Sequence, residues 1–542
     1  MKITILFLLF SLISINLSSQ SIKEKFKVTS GPIDDSYNPP DNYLGKDEKG
    51  NMVFFQTKFG LYALSNKNFL WFYDSKLNRV KDKEIEWPED QKDPGSTLPE
   101  MTNPKSIASN GSNYLIRSHV NDKSKEVFLN AYKYDPVKKD LVLSKKIVSL
   151  KAGRYKYKYN FFNISISPDS SKIAFYKKIE VDEKNGAKGY YLVVTDKDFN
   201  ILWKDDLLIP LDEDLIKLMS LDVNNHGTVH TLIKEYFSGL SEKKNGEVNY
   251  TFHIFSKKGM TEKTTKNKVS IDDNKFISNP KITPDQNGNT VLAGFYGKTP
   301  FRQDGVFIAS IDDDGVTKVN NYYEFDAAFL TETLRQKKAE NQTKKIDEDE
   351  RDKYSDANFI IQQFISDGSG GFYLTGEKYW VTTHTDSKGR TYTRYHHGDF
   401  MAIHFGSDYK VIWAKKIFKY YVQSNSNSSF GGFSFYFNKP FNFTMVSPEG
   451  VYCLYEDDED RDDNRAYSMI DNLGGFDYAL WGARLDANTG ELKKEIIEDH
   501  DKRQGFFNDF STIQVDGNVI YYFGSKAGLL QFDTRMKRID VK

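Results

Sequence analysis

The residues of this chain whose types and spacing best fit a metal site lie in one acidic loop. Calcium loops place oxygen ligands at positions 1, 3, 5, 7, 9 and 12 of a short stretch. Oxygen-bearing residues occupy the first, third, fifth, ninth and twelfth positions of such a stretch here: Asp460, Asp462, Asn464, Ser468 and Asp471. Arg465 replaces the usual glycine at position six, and an aspartate at position twelve reaches less far than a glutamate. The loop therefore predicts either a calcium site or an acidic, solvated connection, and calcium is the one cofactor that the sequence suggests.

Four histidines form a second candidate group: His384, His396, His397 and His404. The segments 382–385 and 392–395 flank a turn at 386–389 and predict a long hairpin. In an extended strand the neighbouring His396 and His397 point to opposite faces. The pattern therefore favours a surface hairpin over a histidine metal site.

An aromatic row is the candidate surface for a protein partner. It lies in a glycine-rich segment and consists of Phe430, Phe433, Phe435 and Phe437. Alternation places the last three on one side of an extended chain. Such a row is either buried in the body of the protein or exposed for a partner, because monomers seldom leave large apolar patches in water.

Motifs of catalysis are missing from the sequence. No nucleophile elbow, phosphate-binding glycine loop or zinc-protease helix is present. Carboxylates are abundant, but they fall at turn positions, where they hydrogen-bond the backbone. We therefore name no catalytic residue and favour a protein that is not an enzyme.

The elements that must position these residues repeat along the chain. A polar turn followed by a short apolar run occurs eight times, at Gly50, Gly111, Ser171, Gly227, Gly288, Gly368, Gly450 and Gly517. A second series of turns follows in phase, near Asp74, Asp135, Asp196, Lys258, Asp314, Ser407, Asn488 and Thr534. Each unit reads as strands A to D, with a B strand that is apolar on both faces. The repeat predicts an all-β fold, an eight-bladed β-propeller.

The domain boundaries follow from this repeat. Residues 43–542 form a single propeller domain, and the segment 20–42 precedes its first blade. The run from Lys25 to Val28 could pair with the last sheet, which would give seven blades plus a composite closing blade. An insertion at 326–357 predicts one helix with i,i+4 charge pairs, either a solvated crossover or a partner-binding helix. A second insertion, 421–442, carries the aromatic row.

The N-terminus predicts export. Residues 1–19 combine Lys2, an apolar run from Ile3 to Ile15 and the small residues Ser18 and Ser19, as in a secretory signal peptide. No later stretch is long and apolar enough to span a membrane, so we expect a periplasmic, outer-membrane-associated or cell-surface protein. The single cysteine, Cys453, is expected to be a buried, inert thiol.

Composition excludes one class of partner. The chain has 75 Lys and Arg residues against 76 Asp and Glu, without a long basic face, so nucleic acid is not expected. Aromatic residues make up 15% of the chain, which suits pleated sheets and could also serve recognition of sugars or proteins.

Three segments resemble known propeller blades. SPDSSKIAF (167–175) resembles a turn of TolB-like and WD40-like bacterial propellers. DFNILW (198–203) and DYKVIW (408–413) look like the C–D turn of exported bacterial propellers, and DANTGEL (486–492) is similar to a quinoprotein-type turn. The resemblance implies a propeller fold, in families that include periplasmic scaffolds, outer-membrane assembly factors and some enzymes. Most units lack the regular tryptophan of quinoprotein blades, which argues against a quinone cofactor.

The sequence thus supports three hypotheses of function. The favoured one is an exported, non-catalytic binding or scaffold propeller that acts in the cell envelope through contacts with an envelope or outer-membrane protein. The alternative is a carbohydrate- or peptide-active propeller enzyme, with carboxylates and aromatic platforms converging at a channel mouth. A weaker alternative is a calcium-dependent adhesion module built on the acidic loop.

Overall fold

The computed structural model describes the following parts of the chain: 21–34, 40, 42–59, 66–87, 104–109, 111–121, 124, 126–151, 162–179, 188–272, 274–312, 317–334, 336–345, 358–385, 391–426, 442–459, 478–499, 507–527 and 532–542. The chain forms two compact units. The larger comprises 40–418 and 422–430, and the smaller comprises 1–39, 419–421 and 431–542.

The described chain begins with a short helix, α1 (Ile22–Lys25), and a strand, β1 (Phe26–Asp34). The larger unit then forms six antiparallel sheets, blades 1 to 6, each built on four strands that we call A to D in chain order. Blade 1 contains β2 (Asn42–Lys46), β3 (Met52–Phe59), β4 (Asn66–Tyr73) and β5 (Arg79–Ile85). Blade 2 contains β6 (Lys105–Ser109), β7 (Ser112–Asn121), β8 (Glu126–Asp135) and β9 (Asp140–Lys151). Blade 3 contains β10 (Asn163–Ile166), β11 (Lys172–Lys178), β12 (Lys188–Asp196) and β13 (Ile201–Ile209).

Blades 4 to 6 carry additional elements between their strands. In blade 4, β14 (Ile216–Val223) and β15 (Val229–Tyr236) are followed by a small hairpin, β16 (Lys243–Lys244) and β17 (Glu247–Val248), and then by β18 (Tyr250–Lys257) and β19 (Thr265–Lys268). Blade 5 contains β20 (Phe276–Pro284), β21 (Thr290–Gly297), β22 (Gly305–Ile311) and β23 (Thr317–Glu324), followed by α2 (Ala327–Thr331) and α3 (Gln336–Lys345). Blade 6 contains β24 (Phe359–Ser366), β25 (Phe372–Thr385), β26 (Thr391–Phe405) and β27 (Val411–Ile417), and β28 (Tyr421–Ser426) also pairs with β26.

The smaller unit contains two further sheets. Blade 7 consists of β29 (Asn442–Ser447), β30 (Gly450–Asp458), β31 (Tyr478–Asp486) and β32 (Leu492–Glu498). Blade 8 consists of β33 (Phe507–Asp516), β34 (Val519–Ala527) and β35 (Phe532–Val541), and its fourth strand is β1 from the N-terminus. Eight four-stranded sheets make the chain an all-β, eight-bladed β-propeller, which confirms the predicted fold class.

Apolar residues pack between neighbouring sheets. The B and C strands are deeply covered, and in β21 and β22 of blade 5 every residue is buried. The larger unit has five core clusters, each shared by successive blades, and the smaller unit has one between blades 7 and 8. Cys453 in β30 is buried within the sheet, as expected. Burial on both faces explains why these strands are apolar without alternation.

The first series of turns is confirmed as the A–B turns of the blades. Seven of the predicted turn glycines have positive φ, namely Gly50, Gly111, Gly227, Gly288, Gly368, Gly450 and Gly517. In the A–B turn of the third blade the residue with positive φ is Ser170 (57°), one position before Ser171.

The structure shows that the last of the predicted C–D turns, near Thr534, is wrong. Thr534 does not lie in a C–D turn, because it lies within β35 and pairs with Ser525 on one side and Asp34 on the other. The register of β1 runs from Phe26↔Val541 to Asp34↔Thr534, with an irregularity between Ser30 and Ile33. The fourth strand thus comes from the opposite end of the chain.

The segment after blade 5 contains two helices in place of the single predicted one. In α2, Phe329 and Leu330 are buried in the core shared by blades 5 and 6. In α3, Glu340 and Lys344 are exposed, as a solvated helix requires. The apolar residues that pack on the core are therefore in α2, and the charged residues that face solvent are in α3. The predicted charge pairs beyond residue 345 lie outside the described residues.

Candidate functional site

Several aspartate carboxylates accept backbone hydrogen bonds in the tight turns at one end of the sheets. The Asp74 carboxylate accepts backbone hydrogen bonds from Lys76 (2.8 Å) and Asn78 (2.9 Å), and the Asn78 amide also donates to it. The Asn78 side chain is the main reason that the pKa of Asp74 lies below its usual value. The same arrangement of bonds from the second and fourth following residues recurs at Asp47, Asp196, Asp285 and Asp367. These acids stabilise turns, as the sequence suggested.

Long connections lie at the other end of each sheet. In a four-stranded meander the A–B and C–D connections share one end, and the B–C and D–A connections share the opposite end. The longest A–B or C–D connection is 258–264, in blade 4. In the larger unit, longer connections join the strands at the opposite end, among them 237–249 in blade 4, which the structure describes in full. Binding residues are concentrated in such loops, so this end is the candidate functional end.

A cleft opens at this end beside blade 4, with a cavity volume of about 590 Å³. Its walls come from the B–C connection of blade 4 and from the D–A connection to blade 5. The residues that matter for its chemistry are Phe237, Tyr250, Ile271, Asp272 and Lys275. The wall containing Phe237 is held in place by the Asn249 amide, which donates to the carbonyl oxygens of Ser238 and Ser241 (both 2.8 Å).

A buried cation supports one side of the cleft. The Lys234 ammonium lies 3.5 Å from the centroid of the Tyr250 ring and forms an ion pair with Glu242. Burial lowers the pKa of Lys234, and the Glu242 carboxylate opposes that shift. The Tyr250 hydroxyl accepts a hydrogen bond from the Ile277 backbone N–H (2.6 Å), while burial raises its pKa. Cation, carboxylate and phenol thus stabilise one another, and their arrangement fixes the shape of the wall.

Two of the charged residues that line the cleft, Asp272 and Lys275, form an ion pair. The Lys275 ammonium lies 2.6 Å from the Asp272 carboxylate and 4.5 Å from the centroid of the Tyr322 ring. The Tyr322 hydroxyl accepts a hydrogen bond from the Asp272 backbone N–H (3.1 Å). A carboxylate held this way is suited to orient a bound group.

Large apolar side chains stand exposed at the same end of blades 4 and 5, and one of them, Phe237, also lines the cleft. Phe237 and Leu240 in the B–C connection of blade 4 are 61% and 65% exposed, and Phe301 in the B–C connection of blade 5 is 86% exposed. All three belong to the same end of neighbouring sheets in one unit. We call these three residues the apolar rim. Aromatic and aliphatic side chains exposed together are typical of a contact surface for another molecule.

The A strands of blades 3, 4 and 5 bring together a separate cluster of polar side chains. Asp222 on β14 accepts hydrogen bonds from the hydroxyls of Ser165 on β10 (3.2 Å) and Ser220 (3.4 Å). Burial raises the pKa of Asp222 to about 6, while the two hydroxyls and the charge of Lys281 on β20 act in the opposite direction.

We expect Asp222→Asn to stabilise the protein above neutral pH. When the pKa of a carboxyl is higher in the folded protein than its value of 3.8 in the unfolded chain, the free energy of unfolding falls as the pH rises from about 4 to 6. The amide removes that loss, so the free energy of unfolding at pH 8 should increase by about 1 to 2 kcal/mol. At pH 3.5 the advantage should vanish. Denaturant unfolding at both pH values checks this, with the exposed Asp82→Asn as control; equal effects of Asp222→Asn at both would contradict it.

The histidines have separate partners. His396 stacks on Trp380, with ring centroids 4.8 Å apart, and its Nε2 lies 2.7 Å from the Thr382 hydroxyl. His397 contacts Glu377 (3.1 Å) and His404 contacts Asp367 (3.1 Å). The predicted hairpin is confirmed as β25 and β26. Within the described part of the chain, no group of three or more His, Cys, Asp or Glu side chains could hold a metal ion.

The other predicted sites remain predictions. The aromatic row (Phe430, Phe433, Phe435 and Phe437) and the candidate calcium ligands (Asp460, Asp462, Asn464, Ser468 and Asp471) lie outside the described residues. Sequence reasoning missed the cleft of blade 4. Phe237 and Leu240 in an otherwise polar connection were the available signal.

No family model matches the chain, and no curated protein matches it. Among solved structures it is similar to the polysaccharide lyase Uly1 (11% identity, 84% of this chain and 94% of that chain, TM-score 0.34). It is also similar to the β-propeller domain of the Trilobed protease from Pyrococcus furiosus (10%, 86% and 98%, TM-score 0.33) and to the WD40 domain of SCAP from fission yeast (9%, 96% and 98%, TM-score 0.33). By strand order and register the chain is a β-propeller, as its blade-level resemblance predicted.

Proposed function

We propose that this protein is an exported, non-catalytic β-propeller that binds another protein of the cell envelope. The apolar rim of Phe237, Leu240 and Phe301 carries the proposal. Its three large side chains are held in water at the end of the sheets that has the long connections. Exposing them costs free energy, roughly 1.5–3 kcal/mol for each fully transferred side chain, and a partner surface would recover it.

The cleft beside the rim supports binding in preference to catalysis. An acid–base pair for glycoside or peptide hydrolysis needs carboxylates that are free to exchange protons with a substrate. Of the two carboxylates that line this cleft, Glu247 and Asp272, the second is instead paired with Lys275. A cleft with an ion pair between Asp272 and Lys275 and with an apolar rim suits a side chain or a loop of a protein partner.

Export is the second part of the proposal, and it rests on the sequence of the first nineteen residues. Within the described residues, no helix is long and apolar enough to cross a membrane. We place the protein in the periplasm or at the outer membrane.

The test is capture of a partner from envelope membranes. The full chain should retain a stable envelope protein, and the triple variant Phe237→Ser, Leu240→Ser, Phe301→Ser should retain at least tenfold less of it, about 1.4 kcal/mol or more. The control is Met260→Ser, which removes an equally exposed apolar side chain from the C–D connection of the same blade. Quantitative mass spectrometry measures the captured amounts. Equal capture by wild type and triple variant would exclude the apolar rim.

A second triple variant examines the aromatic row in the same assay. Replacing Phe433, Phe435 and Phe437 by serine should also lower capture if that row belongs to the binding surface. Unchanged folding and unchanged capture would remove the row from the proposal and leave the rim as the contact.

A further inference from the structure

The hairpin of blade 6 extends beyond the rest of its sheet. Pairing of β24 with β25 ends at Lys378, and among the described residues the last backbone hydrogen bond on this side is the Tyr379 N–H donating to the Asn358 carbonyl (2.9 Å). On the other side, β27 pairs only with the final residues of β26, from Phe400 to Phe405. The two strands nevertheless stay paired up to Thr385↔Thr391. The hairpin therefore projects as a ribbon at the end of the blade that has the long connections.

Among the described strands, a further strand pairs with only one of the two sides of the projecting ribbon. Strand β28 pairs with β26, so β26 is flanked there by a further strand. The other side is the edge of β25 from Val381 to Thr385. In the segments that the structure describes, no strand pairs with this edge on the side away from β26. Val381 is 47% exposed, and Thr383, His384 and Thr385 are exposed as well.

The edge lacks the features with which proteins usually block an open strand. Natural edges carry lysine, proline, bulges or very short strands to prevent pairing with another chain. The sequence here is VTTHT (381–385), without lysine or proline and with four β-branched residues. Such residues have high strand propensity. The edge is therefore competent to accept another strand.

Side-chain contacts hold the ribbon in its extended form. The rings of Trp380 and His396 stack with an angle of 3° between their planes, and the Thr382 hydroxyl contacts the same histidine. Burial lowers the pKa of His396 to about 4, and nearby Arg394 acts in the same direction. A neutral imidazole keeps this stack intact at physiological pH. A preorganised edge loses little conformational entropy when a strand is added.

The net positive charge of the hairpin indicates which kind of partner strand would bind. The sequence from 378 to 397 contains four Lys and Arg residues against one Asp. Two copies of the ribbon would repel each other, whereas an acidic segment would be attracted. We propose that the edge Val381–Thr385 binds an extended, acidic segment of a partner protein as an additional β-strand. This inference rests on the proposed function and deepens it by naming the binding mode.

The alternation of the backbone identifies the residues to change. The Tyr379 N–H points away from β26, so the N–H groups of Val381, Thr383 and Thr385 point the same way. Thr383→Pro removes one of these donors without removing a hydrogen bond of the hairpin. Thr383→Val keeps the donor and is the matched control. The double variant Val381→Glu, Thr383→Glu keeps every N–H but opposes an acidic strand.

The experiment selects peptides with the full chain as bait. A displayed library of random decapeptides is panned on the wild type, and affinities of the enriched peptides are measured by fluorescence anisotropy. We expect enrichment of Asp and Glu among β-branched residues, with binding at least tenfold weaker to Thr383→Pro and to the double Glu variant. Binding to Thr383→Val should be unchanged. Amide exchange at Val381 and Thr383 should slow when peptide is bound.

Three results would overturn the inference. They are enriched peptides that bind Thr383→Pro as tightly as wild type, absence of any enrichment, and self-association of the chain that Thr383→Pro abolishes. Membrane capture separates this failure from failure of the proposed function. If wild type and Thr383→Pro capture an envelope protein equally, the edge is not the binding site, but the propeller is still a binding protein. If neither chain captures one, both the edge and the proposed function are rejected.

Discussion

Phe26→Ala will destabilise the smaller unit by about 3–5 kcal/mol, because it removes a fully buried ring from the strand that completes blade 8. The ring packs edge-to-face against Tyr452 of blade 7, with centroids 5.5 Å apart. It also belongs to the apolar cluster between the two sheets. Guanidinium unfolding followed by circular dichroism measures the loss, and hydrogen exchange of the 532–541 peptide locates it.

Strand β1 provides the control for this prediction. Ile33 lies on the same strand but is 52% exposed, so Ile33→Ala should change stability by less than about 0.5 kcal/mol. Equal losses from both variants, or no faster exchange in β35 with Phe26→Ala, would mean that burial of this ring does not hold the composite blade together.

Glu498→Ala is expected to cost a similar amount, about 3–5 kcal/mol, for an electrostatic reason. Glu498 at the end of blade 7 forms a buried ion pair with Lys537 on β35 of blade 8. Its other oxygen accepts a hydrogen bond from the Ser30 hydroxyl on β1 (3.0 Å). Removing the carboxylate leaves the Lys537 ammonium in the interior without this counter-charge. The free energy of unfolding, measured by denaturant titration, gives the effect.

A double variant distinguishes the lost pair from simple loss of packing. Glu498→Leu with Lys537→Met replaces both charges by apolar groups and should recover most of the stability, since such replacements are often neutral. The exposed pair of Lys67 and Glu84 (3.0 Å) is the matched surface control, and Glu84→Ala should cost less than about 1 kcal/mol. A double variant as unstable as Glu498→Ala would show that the buried charge is not the cause.

These contacts explain why the sequence predicted most of the fold but gave its closure, the pairing of residues 25–28 with the last sheet, only as an alternative, which the structure confirms. The A–B turns could be located because turn chemistry is local, as at Gly227 (φ 84°), where positive φ suits a residue without a Cβ. The C–D turn at Thr534 was wrong because the strand beside β35 lies about five hundred positions away in the sequence. Nothing in the sequence near β35 shows that its neighbour is a distant strand and not the next strand along the chain.

Close packing in the smaller unit shows the same limit. A Cβ at Gly482 would lie 2.8 Å from Ile22 of α1 and 2.7 Å from Ile497. The glycine is required because an N-terminal helix packs on blade 7, a contact between residues far apart in the sequence. From the sequence alone, Gly482 is merely an interruption in a strand.

The candidate sites divide in the same way. The long hairpin that contains His384 and His396 was predicted, because strand propensity and a short turn are encoded in neighbouring residues. The open edge of that hairpin could not be predicted, since it depends on where β24 stops pairing. The cleft of blade 4 was missed because its walls come from two separate connections, 237–249 and 269–275.

The sequence by itself determined the repeat, the strands and the tight turns of this protein, since periodicity and turn chemistry act over a few residues. Only the tertiary structure decided which strand completes blade 8, which carboxylates are neutralised by partners and which apolar side chains stay in water. Those outcomes depend on burial and pairing between residues distant along the chain, and such free energies exist only once the sheets have packed.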